Sequence, residues 1–87
     1  MITINLENDD RNDLFVNVTD LNRAGSPLVL NHVRINQRES LAVEIQDSHG
    51  SGHIEWAAQQ VDHATRTVHR TVTVSSGDTV EVTTFFA

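Results

Sequence analysis

The chain has no cysteine, no lysine and no tyrosine. The first absence excludes disulfides, thiol nucleophiles, zinc fingers and iron–sulfur clusters. The second removes a P-loop lysine and any Schiff base, and the third removes phenolic acid–base roles. Nucleotide hydrolysis and pyridoxal chemistry are set aside on these grounds, and no cofactor is expected. Positive charge is also scarce: six Arg stand against twelve Asp plus Glu, for a net charge of −6. Without a basic stripe or aromatics interleaved with Arg, nucleic acid is not an expected partner. No apolar run approaches the length of a membrane span. The segment Met1-Ile2-Thr3-Ile4-Asn5-Leu6 lacks the basic, apolar and small-residue regions of a signal peptide. The expected compartment is the cytoplasm, with export left open.

What the sequence does contain is alternation. Apolar residues recur with period two, the spacing of strands whose alternate side chains face a core, and no helix-period segment is present. The inward rows are Ile2, Ile4 and Leu6; Leu14, Val16 and Val18; Leu28 and Leu30 continuing out of phase into Val33 and Ile35; Leu41, Val43 and Ile45; Ile54, Trp56 and Ala58; Val68, Val72 and Val74; and Val80, Val82 and Phe86. The phase change in the third row predicts a β-bulge. Six segments with turn chemistry separate the rows: 7–13, 20–27, 36–39, 47–53, 62–66 and 75–78. Seven short strands cannot stay as one flat sheet with an apolar face in water. The expected fold over residues 1–87 is a single all-β domain, an antiparallel seven-stranded β-sandwich, with a small β-barrel as the alternative.

The stretch Val72-Thr-Val74-Ser-Ser-Gly77-Asp78-Thr-Val80-Glu-Val82 resembles the closing hairpin of bacterial immunoglobulin-like and fibronectin-type-III-like sandwich domains. The resemblance, in strand count and this hairpin, implies a two-sheet β-sandwich. The chain departs from the family in having no inter-sheet disulfide, no tyrosine corner, and its Trp56 on the fifth row instead of the third. A second likeness lies in Asp13-Leu-Phe-Val-Asn-Val18, Asp20-Leu-Asn22, Arg34-Ile35 and Glu39-Ser40. This is similar to small accessory β-domains of caspase-like bacterial proteases, which carry no catalytic residues.

If successive strands reverse direction, alternate loops share one end of the molecule. Loops 20–27, 47–53 and 75–78 then meet, bringing together all four glycines and the candidate ligand-binding residues Asn22, Ser51 and Asp78. Within Asp47-Ser-His49-Gly-Ser-Gly-His53, the residues Asp47, His49 and His53 are candidate ligands for zinc, copper or nickel. A metal-assisted hydrolase would need a further ligand, such as His32 or Asp78. The acidic segment Glu7–Asp13 has carboxylates for calcium but not the ordered spacing of an EF-hand. Arg70 falls in phase with Val68 and Val72, and a bare charge in a core is too costly. The strand is therefore expected to bulge there or to begin near Thr71, with pairing of Arg70 to a carboxylate at the sandwich rim as the further alternative. Thr67, Thr71 and Thr73 would face Thr79, Glu81 and Thr83 if the last two strands pair as a hairpin. Trp56 is read as core, while Phe15 and Phe85 fall on the outward parity and would form a surface patch if both were exposed. The leading function is a non-catalytic module binding another protein. The alternative is a carbohydrate-binding module, for which surface aromatics are required. No enzyme activity and no membrane partner are expected.

Overall fold

The computed structural model describes residues 1–63 and 66–85. The inward place given to Phe86 lies outside the described residues. Among the described residues eight strands follow one another: β1 (Ile2–Asn8), β2 (Leu14–Asp20), β3 (Leu28–Ile35), β4 (Ser40–Ile45), β5 (Asp47–Ser48), β6 (Ser51–Gln60), β7 (Thr67–Ser75) and β8 (Thr79–Val82). No helix occurs among the described residues. The strands form two sheets, one ordered β4-β1-β8 and the other β3-β2-β6-β5, with β7 also on β6.

The seven rows all become strands, and the eighth element is β5, inside the segment expected to be a loop. Asp47 pairs with Gly52 and Ser48 with Ser51, so 47–53 closes as a tight hairpin. A chain passing from β4 through Gln46 into β5 thereby leaves one sheet and joins the other. The expectation of antiparallel pairing throughout is also corrected. β1 pairs with β4 antiparallel but with β8 in parallel, Leu6 opposite Val80. The reason is the alternation itself: in a chain that reverses at each connection, the first and seventh long strands run the same way. When they become neighbours in a sheet, they must pair in parallel.

The phase change in the third row is a bulge. Val16 pairs with Val33 but Val18 with Leu30, which leaves an extra residue on β3. His32 absorbs it at φ 55°, its N–H donating to Asn17 Oδ1. A second shift between Val18 and Thr19 brings Leu28 opposite Thr19.

The buried side chains of both sheets form one cluster, with Trp56 the largest, and Ile4, Leu6, Leu14, Val18 and Ile54 packed among the rest. Several inward rows end in a polar residue that keeps the same phase. Asn8 follows Leu6, Asp20 follows Val18, Gln60 follows Ala58 and Thr84 follows Val82, and all four are buried. Each has partners, as buried polar groups must. Asn8 Nδ2 donates to Ile35 O and Asn12 O, both at 2.9 Å, and its Oδ1 accepts from Asp10 N at 2.8 Å. Gln60 Nε2 donates to Thr84 Oγ1 at 2.7 Å. At the opposite end, Asp20 Oδ2 accepts from Gln46 N at 2.8 Å and Arg23 Nε at 3.0 Å, while Oδ1 accepts from Asn22 N at 3.2 Å. These residues tie strand ends of one sheet to chain of the other where the apolar core gives out.

The last two long strands do not make the expected hairpin. β7 lies on β6 and β8 on β1, so Thr67, Thr71 and Thr73 belong to a different sheet from Thr79. Nor does β7 bulge or start late. It begins at Thr67 and holds one unbroken register on β6 from Ser75 opposite Ser51 to Thr67 opposite Gln59. Arg70 therefore points to the same face as Val68 and Val72, opposite Trp56. Its side chain is nevertheless exposed, because β7 borders the seam between the sheets and the inward face there is uncovered.

Candidate functional site

The loops that were expected to share an end do so. Asn22 Nδ2 donates to Gln46 O at 3.0 Å and Ser51 O at 3.1 Å, and Leu21 N to His53 O at 2.9 Å. Asn22 and Ser51 thus meet, and the amide of Asn22 is occupied in clamping loop 20–27 onto the β5–β6 hairpin. Asp78 sits at the β7–β8 turn, where Oδ2 accepts from Ser75 N at 2.8 Å and Asp78 N donates back to Ser75 O at 3.1 Å. That turn is held against β1 by Gly77 N donating to Thr3 O and Asn5 N to Asp78 O.

The candidate metal ligands fall on different parts of the β5–β6 hairpin. His49 and Gly50 occupy its tip with φ of 54° and 84°, the signature of a type I′ turn. His53 stands on the exposed face of β6, opposite Thr73. Asp47 Oδ1 accepts from the N-terminal ammonium at 3.0 Å and Oδ2 from Gly50 N at 3.3 Å. Among the described residues, no group of three or more His, Asp or Glu side chains gathers as a metal ion requires. Asparagine, whose short side chain bonds locally, takes the left-handed conformation of a type I′ turn more readily than histidine. His49→Asn is therefore expected to stabilise the fold by about 0.5 kcal/mol, read as a rise of about 2–4 °C in melting temperature.

In the acidic segment Asp10 and Asp13 face donors. Asp13 accepts from Arg34 Nη2 at 2.7 Å and Gln37 N at 3.0 Å. Asp10 Oδ2 takes Thr84 N and Thr84 Oγ1 at 2.6 and 2.7 Å, and Asp10 Oδ1 takes both nitrogens of Asn12. Phe15 lies half-buried with its ring stacked on His32 at 4.0 Å between centroids, and Phe85 is 49% exposed with the Arg66 guanidinium 4.7 Å over its ring.

The feature that sequence reasoning missed is a groove of about 350 Å³ along the seam between β7 and β8. Its lining residues divide by chemistry into an apolar floor, Val72, Val74 and Val80 over the buried Trp56, and a polar rim, Arg70, Thr73, Asp78, Thr79 and Glu81. The in-phase Arg70 was its one sequence signal: a charge on an inward parity marks a place where the core face is uncovered. Among the described residues β8 pairs only with β1. Asp78 O and Val82 O accept from Asn5 N and Asp9 N, so by the period-two alternation the N–H and C=O of Thr79 and Glu81 point away from β1. The groove is thus bordered by backbone donors and acceptors as well as by side chains. No protein-family model, no curated protein and no solved structure matches the chain.

Among the described residues, the carboxyls of Asp47, Asp13 and Asp10 are held below their ordinary value of 3.8. For Asp47 the N-terminal ammonium is the main cause; for Asp13 it is the Gln37 N–H and then Arg34. For Asp10, burial pushes the carboxyl up, but the N–H and hydroxyl of Thr84 and the donors of Asn12 together outweigh it. A carboxyl with a lower pKa folded than unfolded takes up a proton on unfolding as the pH falls, so its stabilisation is present above the ordinary value and is lost below it. Melting temperature should therefore fall steadily from about pH 4 downward. Asp10→Asn should flatten that profile while lowering stability at neutral pH. An unchanged acid profile in Asp10→Asn would show that this network does not set acid stability.

Proposed function

We propose that this chain is a non-catalytic interaction module, its two sheets forming an immunoglobulin-like sandwich, and that it binds its partner in the β7–β8 groove. The observation that carries this reading is the groove itself: an apolar floor, a polar rim and outward-facing backbone groups. Binding sites commonly combine an apolar concavity with a few placed polar groups. Two sheets packed on one cluster of buried side chains support the sandwich. Against the carbohydrate alternative, Trp56 is only 2% exposed and offers no ring face to a sugar.

Trp56 is the sole tryptophan and, though buried, borders the groove from beneath, so a ligand held against Val72 and Val80 changes the surroundings of its ring and hence its emission. The test is a titration against a displayed-peptide selection, a glycan panel and divalent metals, followed by amide shift mapping. Peptides that move Trp56 emission and map to β7 and β8 are expected. Ligands mapping instead to the 20–27 and 47–53 loops, or a response confined to glycans or metals, would refute the reading.

A further inference from the structure

We infer that the groove takes an extended, basic polypeptide segment of a partner protein, which adds as a strand to the outer edge of β8; this rests on the groove being the binding site. Three observations converge. First, Thr79 and Glu81 present their N–H and C=O groups to the groove side in strand geometry, the arrangement that β-augmentation uses. Second, the floor beneath that edge is Val72, Val74 and Val80 over the buried Trp56, so every other residue of an added strand would be directed to an apolar surface. Third, the rim carries two carboxylates, Asp78 and Glu81, against one guanidinium, Arg70, on a chain of net charge −6. The favoured occupant therefore alternates apolar, β-branched residues with Lys or Arg. The same charge opposes a second copy of the chain, since two molecules at −6 repel before their edges meet.

The probes are short synthetic peptides: one alternating valine with lysine, one alternating valine with glutamate, and the first with every second backbone amide N-methylated. Each is titrated into the intact chain while Trp56 emission and the Thr79 and Glu81 amide signals are followed. The valine–lysine peptide should shift Trp56 emission and slow hydrogen exchange at Thr79 and Glu81. N-methylation, which removes about two hydrogen bonds, should weaken it about thirtyfold. Glu81→Gln should weaken it about threefold, and that loss should shrink at high salt. If peptides move Trp56 emission but the methylated or glutamate form binds equally well, strand addition or charge selection is overturned while the groove remains a binding site. If no peptide moves Trp56 emission, the groove reading fails and the inference with it. Concentration-dependent protection of Thr79 and Glu81 without peptide would make a second copy the occupant and overturn the proposal.

Discussion

Asp20→Asn should lower the unfolding free energy by about 3 kcal/mol, although it changes neither the size nor the shape of the side chain. Asp20 is fully buried and accepts from three donors: Gln46 N and Arg23 Nε on one oxygen and Asn22 N on the other. An asparagine must turn its NH2 toward one side or the other and so oppose at least one donor with another. Leaving buried donors without an acceptor costs about 1–3 kcal/mol, and losing the charge beside a guanidinium adds to it. The Arg23 side chain is about one-third exposed, so Arg23→Gln should cost less than about 1 kcal/mol, the scale of a screened pair. The contrast between the two variants separates the backbone bonds from the ion pair. Urea unfolding gives the free energies, and hydrogen exchange at Gln46, which lies between β4 and β5, should accelerate in Asp20→Asn alone. A loss below about 1 kcal/mol in Asp20→Asn would show that the crossing between the sheets does not depend on this carboxylate.

How much of this was legible in the sequence depends on whether the determinant is local. Val16 and Val18, or Ile54, Trp56 and Ala58, fix a strand because side-chain direction alternates whatever lies across from it. The slip between Leu30 and Val33 fixed the bulge for the same reason. Asn8 and Asp20 were legible too, had the rows been continued past their last apolar residue: each keeps the phase of the strand and therefore had to be buried and satisfied. The groove was not legible. Alternation tells which face Arg70 takes, but whether anything covers that face depends on β8 choosing β1 over β7, a pairing set by the whole topology. The candidate residues of the 47–53 segment were misplaced for a related reason. A two-residue strand such as β5 carries no periodicity to read, so His49 and Gly50 read as a flexible loop when they are the tip of a hairpin.

Gly52→Val should be the second severe substitution, costing about 3 kcal/mol, with Gly52→Ala at about half of that. The expectation runs against the usual preference, since valine suits a strand better than glycine by up to about 1 kcal/mol. Of the four glycines, Gly25, Gly50 and Gly77 have positive φ and serve turns, as expected. Gly52 does not share that conformation. It lies within β6, buried, and a Cβ there would collide with Ile45 Cδ1 and lie 3.0 Å from Val74 Cγ2 and 3.1 Å from Ile2 Cδ1. Val74 comes from β7, the neighbour of β6 in its own sheet, and Ile45 and Ile2 come from β4 and β1 of the other, so side chains of both sheets close on the bare backbone at Gly52 beside the crossing from β4 to β5. The nearest atom is the end of an isoleucine, which supplies the decisive control. Ile45→Val deletes Cδ1 and alone should cost about 1 kcal/mol. Combined with Gly52→Ala it should cost less than the two apart, with a coupling of about 1 kcal/mol in the favourable direction. Strict additivity in that cycle would mean that Ile45 yields without cost, and the absence of a side chain at position 52 would then need a different physical cause.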